Sequence, residues 1–594
     1  MKRLLLLAAI ALLPFGCAPA VPLPPEQPVA VDQGPYWSGF SRAAYYTVDQ
    51  GSRLMPLGWF RALKRPDGTA FLSGRLARYG YLRNYEAPAS DLPVGFTTNG
   101  PANDKWIGMN CAACHTRQID VGTVSYRIDG GPAIADFQAF LADLDTAVAH
   151  LLADPPTFKT FAADVLGGHP SDGDVAKLRA AVQAWFVPYD LLIQRALPSA
   201  KPWGPARLDA VGMIFDRLTG LDIGSTPGHT IPANIKQADS PVRYPFLWNA
   251  SRQDFTQWPG FAANGDTLLG LARNTGEVIG VFAQFHPSKD AIKYPHMKVD
   301  YTSVNSSDTL GLLALEQLIT LLGPPKFQWP TDPALVKEGA DIFNLPTEKG
   351  GCVECHGEQP GAFRGPVPTW KTPILDVGTD NREWTMLGVP GDPAWPGWQV
   401  DTGVLSGAEI PFITDKLKPV DSAFSVLGTS VIGTILQRIV NLGDNMAQPN
   451  AADTGPGSDL LTAGVHAHSS RSQELKLAFV NPDKLAVGEP PFKYESRVLH
   501  GIWATAPYLH NGSVPTLADL LKPAADRPAS FKVGPAYDPV NVGLATDQTA
   551  FNYTLKTTGC DQRTSGDSNC GHEFGTKTLT PEQKKALLEY LKTL

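Results

Sequence analysis

A chain of 594 residues with 43% hydrophobic and 18% charged residues and a net charge of −8 has the apolar content to pack real cores, which excludes wholesale disorder. The acidic balance leaves no basic footprint for nucleic acid or for an anionic membrane surface. At roughly 150 residues per domain the length predicts three or four domains, or two large ones, and 56 glycines with 53 prolines forecast long loops between short elements.

Met1-Lys2-Arg3 followed by the apolar run Leu4 to Phe15 opens the chain. Such a run is too short to span a bilayer as a helix and suits the core of a signal peptide. Residues 1–20 are therefore expected to direct export, and residues 21–34, with Pro22, Pro24, Pro25 and Pro28, to form an extended leader. Two processing routes fit. Ala18-Pro19-Ala20 reads as a small-x-small cleavage site that releases the protein, and Gly16-Cys17 reads as a lipoprotein site that anchors it through Cys17. Both place the mature chain outside the cytoplasm, periplasmic or secreted. No later segment has eighteen apolar residues without a charge; the best, Leu310 to Leu322, carries Glu316 and reads as a buried helix, so no transmembrane span is expected.

Helical patterns follow at Ile134 to Leu152, Val175 to Phe186, Leu191 to Leu197, Leu268 to Phe285 and Thr309 to Leu322, before Pro324-Pro325 marks a boundary. Beyond it, Asp332 caps a helix with Pro333 at its first position and Leu335, Gly339, Ile342 and Phe343 at helical spacing. At the far end Thr580-Pro581-Glu582-Gln583 is a capping box that opens a helix with Leu587, Leu588, Leu591 and Leu594 on one stripe. Between these helices lies Cys352-Val-Glu-Cys355-His356, a C-x-x-C-H signature of c-type haem attachment, and a helix before such a motif with a C-terminal helix that crosses it frames the class I cytochrome c fold. The expected architecture is mainly α: two class I cytochrome c-like haem domains, 35–326 and 327–594, with long loop-rich insertions.

Seven cysteines carry the strongest chemical signal. Cys111-Ala-Ala-Cys114-His115 and Cys352-Val-Glu-Cys355-His356 are two copies of C-x-x-C-H, the attachment signature of c-type haem. Two thiols one helical turn apart add to the two porphyrin vinyl groups, and the adjacent histidine is placed under the iron. A thioredoxin-like pair has no need of that histidine, and a tetrahedral zinc site needs cysteine pairs in a context missing from this sequence. The expected cofactors are two covalently bound c-type haems, with His115 and His356 as iron ligands. Cys560 and Cys570, in a polar loop, are expected to form a disulfide in an oxidising compartment, worth up to ~3 kcal/mol.

The segments Gly108-Met109-Asn110-Cys111-Ala112-Ala113-Cys114-His115-Thr116 and Arg127-Ile128-Asp129-Gly130-Gly131-Pro132 resemble the dihaem rubber oxygenase-like group, within the larger superfamily of bacterial dihaem cytochrome c peroxidases. Gly501 to Ser513, containing Thr505-Ala506-Pro507-Tyr508-Leu509-His510-Asn511-Gly512-Ser513, is similar to a segment of that superfamily. The resemblance implies a reactive N-terminal haem with an open sixth position and a six-coordinate C-terminal haem that relays electrons. It also implies a distal histidine for the second haem from late in the chain. His572 is the choice for that ligand, with His510 as its rival and Met386 and Met446 behind them. Trp258 and Trp248 are the candidates for an aromatic bridge between the haems, Trp258 favoured by its polar neighbour Gln257 and the following Pro259-Gly260.

For the first haem no distal ligand stands out among His150, His169, His229, His286 and His296. An empty apolar pocket suits dioxygen; a distal histidine or carboxylate suits hydrogen peroxide, whose O–O heterolysis needs a shuttled proton. The implied function is an oxidoreductase of the oxygenase or peroxidase type. Its expected partners are one of those oxidants, an isoprenoid or other organic substrate, and a cytochrome or cupredoxin electron donor. The alternative is a two-haem electron carrier without a substrate of its own, against which the length argues: two minimal cytochrome domains need roughly 200 residues.

Overall fold

The computed structural model describes residues 27–364, 368–389, 392–411, 413–446 and 492–594. The expected signal segment with Cys17 and the leader as far as residue 26 lie outside the described residues, and so does the side chain of Met446. No helix among the described residues is long and apolar enough to cross a membrane.

The expectation of a mainly α chain built from two class I cytochrome c-like domains does not hold. Helix makes up 38% and strand 15%, the strands spread over many small sheets of two or three members each. The first haem motif shows why. It sits in a β framework: strand Trp106–Met109, central in a sheet with Met55–Pro56 and Phe96–Asn99, leads into the one-turn helix Cys111–Cys114. Strand Thr116–Val121 leads out and pairs antiparallel with Val124–Asp129. Two of the three apolar clusters draw residues from both sides of residue 326: one joins Val211 and Phe215 to Val426 and Tyr494, the other joins Tyr45 and Trp248 to Phe343 and Leu591.

Several helices form where the apolar spacing put them. Phe137–Ala153 buries Phe140, Leu141, Leu144 and Val148, and Thr309–Thr320 buries Leu312, Leu315 and Ile319. The two short patterns at Val175 and Leu191 merge into one helix, Asp172–Ala196, which runs through Pro188. Proline removes one backbone hydrogen bond, and burial of Val182, Tyr189, Leu192 and Ile193 along the same helix offsets that loss.

In the second half the two framing helices are present. Asp332 caps Pro333–Phe343 through the amides of Ala334 and Leu335, and the Thr580–Gln583 capping box opens Pro581–Leu591. They cross so closely that a Cβ on Gly339 would lie 2.1 Å from the Ala586 carbonyl oxygen. Ile342, Phe343, Ala586, Leu587 and Leu591 are buried around that crossing. Gly339→Ala is therefore expected to destabilise the fold by about 1–3 kcal/mol, as overpacked sites do. Urea denaturation checks this, and an unshifted midpoint would contradict the close crossing.

Candidate functional site

The first C-x-x-C-H motif is held from its N-terminal end. Asn110 accepts the Ala112 amide at 2.9 Å and donates to the carbonyls of Tyr45 and Val48 at 2.9 and 2.8 Å, so the one-turn helix is capped. The His115 Nδ1–H donates to the Pro245 carbonyl at 2.8 Å. That bond fixes the ring and leaves Nε2 for a metal, the usual outer partner of a ligating histidine. Burial pulls His115 down to about 4, which keeps the imidazole in the neutral form that ligates. Cys111, Cys114 and His115 line a cavity of about 190 Å³ whose walls include Phe137, Phe215, Phe261 and Leu427.

The second motif has the same outer contact. The His356 Nδ1–H donates to the Arg497 carbonyl at 2.7 Å, and Cys352, Cys355 and His356 line a cavity of about 160 Å³. His572 lines it too, its ring centre 6.0 Å from that of His356. Two imidazole nitrogens each about 2 Å from one metal, the usual metal–histidine distance, would put the ring centres roughly 6 Å apart, so the spacing of His356 and His572 suits two residues that would hold one metal between them.

His572 is presented under constraint. Its φ is +54°, a conformation that non-glycine residues rarely adopt and that is found at functional sites. Its amide donates to the Val377 carbonyl at 2.6 Å, and Arg527 donates to the carbonyls of Asn569 and Gly571 at 2.6 and 2.8 Å. A Cβ on Gly571 would lie 2.4 Å from the Gly378 carbonyl carbon, so glycine is required there. Cys560 and Cys570 form a disulfide just upstream. Burial, with His356 and Arg527 nearby, pushes His572 down to about 3.

His510 also lines the second cavity, but its Nε2 lies 3.0 Å from Asp380 Oδ2 and its ring stacks on Tyr494 at 3.7 Å. Both contacts hold it in the wall. Met386 is buried in an apolar cluster. His150, His169, His229, His286 and His296 line neither cavity.

Trp258, Arg243 and Arg497 line both cavities and so form their shared wall. The Trp258 indole N–H donates to the Arg243 carbonyl at 2.9 Å, with the guanidinium carbons of Arg243 and Arg497 4.7 and 5.5 Å from its ring centre. Trp248 belongs elsewhere: it lines neither cavity, stacks on Phe246 and donates to the His500 carbonyl at 2.7 Å.

The first cavity also holds a polar group that sequence reasoning missed. Gln257 Nε2 donates to Glu277 Oε1 at 2.7 Å, while Glu316 Oε1 accepts from Arg273 and Asn274. All five line the cavity. Burial raises the Glu277 carboxyl above its ordinary value; the Arg273 charge and the Gln257 hydrogen bond oppose the rise, and Glu316 adds to it. The available signal was the Arg273-x-x-x-Glu277 pair, the two charged residues of helix Thr267–Gly280, one turn apart, and the Glu316 charge in the next helix.

Residues 493–532 match the family described as RoxA-like, cytochrome c-like. That stretch includes Tyr494, Glu495, Arg497, Tyr508 and His510, all lining the second cavity, and it supports a RoxA-like haem cytochrome relationship. The chain is similar to the uncharacterized protein y4iJ of Sinorhizobium fredii (strain NBRC 101917 / NGR234), 29% identical over 94% of this chain and 92% of that protein. It is also similar to the uncharacterized protein y4iM of the same strain, 39% identical over 17% of this chain and 27% of that one.

His572→Ala in the haem-loaded protein is expected to convert one low-spin signal in electron paramagnetic resonance to high spin, with free imidazole restoring it. His510→Ala should leave it low-spin. The opposite pattern would make His510 the ligand.

Proposed function

We propose that the chain is an exported oxidoreductase that holds one c-type haem on Cys111, Cys114 and His115 and a second on Cys352, Cys355 and His356, and that it reduces hydrogen peroxide at the first with electrons relayed from the second. The observation that carries this reading is the asymmetry of the two cavities. The second is lined by His356 and His572, whose ring centres lie 6.0 Å apart; the first is lined by His115 and by the hydrogen-bonded Gln257–Glu277 pair, with no other histidine among its lining residues.

Bound haem iron would supply an exchangeable position for the oxidant at the first site and reversible one-electron storage at the second. The chain does the rest. Reduction of hydrogen peroxide to water consumes two electrons and two protons. Glu277 moves a proton between the peroxide oxygens: Gln257 Nε2 holds Oε1, and Oε2 takes the proton from one oxygen and returns it to the other. Phe137, Phe215, Phe261 and Leu427 exclude bulk water, which strengthens these interactions. Trp258 shortens the path between the sites, and a small cytochrome or cupredoxin outside the cytoplasm is the proposed donor.

A second reading, oxidative cleavage of an isoprenoid by dioxygen, is favoured by the apolar majority of the first cavity and by the RoxA-like match. The two readings part on one experiment. Peroxide turnover with a reduced cytochrome donor is expected, and Glu277→Gln should lower kcat/KM for peroxide by about 10²–10⁴, the usual worth of a positioned acid–base group. The activity should decline as pH falls through the raised Glu277 value, because only the ionised carboxylate accepts the proton, and the variant should lose that acid limb. Isoprenoid cleavage under oxygen without peroxide turnover would overturn the peroxidase reading.

A further inference from the structure

An unbroken run of bonds joins the two histidines that follow the haem-attachment cysteines. His115 gives its Nδ1 proton to the Pro245 carbonyl at 2.8 Å, and Pro245 continues through its peptide bond into Phe246. The Phe246 carbonyl accepts Arg497 Nη1 at 2.7 Å, and the Arg497 carbonyl accepts the Nδ1 proton of His356 at 2.7 Å. Arg497 thus holds one imidazole with its main chain and, with its side chain, grips the segment that holds the other.

The guanidinium is placed for this by its surroundings. Arg497 is 6% exposed, lines both cavities and donates through Nε to Glu495 Oε1 at 2.6 Å. Its central carbon lies 5.1 Å from the Phe246 ring centre and 5.5 Å from that of Trp258. Burying a guanidinium is costly unless it is paired and hydrogen-bonded, and Glu495 and the Phe246 carbonyl meet that requirement while setting the direction of Nη1. Outer partners of ligating histidines set ring orientation and ligand basicity; here one residue does so for one histidine directly and for the other through Pro245-Phe246.

We propose that Arg497 is a positioning residue that couples the two sites, its bond to Phe246 completing a route for electron exchange between His356 and His115 alongside Trp258. The proposal rests on the two-haem reading above. Electron tunnelling is attenuated less along covalent and hydrogen bonds than across open gaps, and the route from imidazole to imidazole contains no gap. In each transfer one electron leaves the reduced second site and one arrives at the oxidised first site. The external cytochrome or cupredoxin donor then re-reduces the second.

The test uses the haem-loaded protein with Arg497→Met, Arg497→Lys and Trp258→Phe. Haem content is measured first: fewer than two haems in the unmodified chain sinks the two-haem reading and the coupling with it. With two present, the second site is reduced and the inter-site transfer rate is followed by stopped-flow absorbance. Arg497→Met should slow transfer about tenfold or more while the low-spin spectrum of the second site persists, and Arg497→Lys, which still has a donor for the Phe246 carbonyl, should recover part of the rate. A rate for Arg497→Met within about twofold of the unmodified protein, with Trp258→Phe alone slowing transfer, overturns the proposal. If Arg497→Met does not load both haems, Arg497→Leu, which likewise has no donor for the Phe246 carbonyl, decides by the same twofold criterion.

Discussion

His115 and His356 stand half-buried in the walls of the two cavities, and each passes its Nδ1 proton to an acceptor inside the protein. The acceptors are the carbonyls of Pro245 and Arg497, and most of the architecture around the two cavities serves to place those two oxygens. The segment that carries Pro245 also carries Arg243, whose carbonyl holds the Trp258 indole, and Phe246, whose carbonyl holds Arg497. Arg243 in turn donates to the carbonyls of Leu509 and Thr505. Two stretches far apart in sequence, 243–246 and 495–509, are thereby stitched into one wall that faces both cavities.

That wall is charged, which is unusual for an interior. Among the described residues Arg243 has no carboxylate as a hydrogen-bond partner; burial pulls it down to about 9, with Arg497 adding to the shift. Arg497 is paired with Glu495, whose carboxyl burial lifts to about 7 against the pull of Arg497. The Arg273–Glu316 pair sits in the wall of the first cavity with Glu277 beside it. Buried ion pairs of this kind contribute little to stability. Their concentration between and around two cavities that carry haem-attachment motifs is better explained by what those cavities do.

Some of this was legible from residues alone, because some motifs are local chemistry. C-x-x-C-H needs only its own spacing, and the capped helices at Asp332 and Thr580 announce their ends through side chains one to three residues away. The Gly339 crossing was readable because glycine at a core-facing helical position signals close approach. What failed was non-local. A mainly α frame did not hold because Gly/Pro-rich segments form short strands whose pairing partners are set by tertiary contacts, as with Met55–Pro56 and Trp106–Met109. The patterns at Val175 to Phe186 and Leu191 to Leu197 read as two helices because the apolar spacing lapses between them, and Pro188 lies in that gap; the burial that carries one helix through it is non-local. Gln257 and Pro259-Gly260 set Trp258 apart from Trp248 in the sequence, whereas the stacking of Trp248 on Phe246 and its bond to the His500 carbonyl depend on tertiary contacts. The role of Glu277 was not legible because its partner Gln257 lies 20 residues away.

Central to the account is the difference between the two cavities: one with an imidazole pair, the other with a single histidine and an acid–base group. Electron paramagnetic resonance of the fully oxidised, haem-loaded protein, with and without cyanide, reads that difference most directly. The account predicts one low-spin centre indifferent to cyanide and one high-spin centre that cyanide converts to low spin. Two low-spin centres that both ignore cyanide, or a single haem per chain, would contradict it.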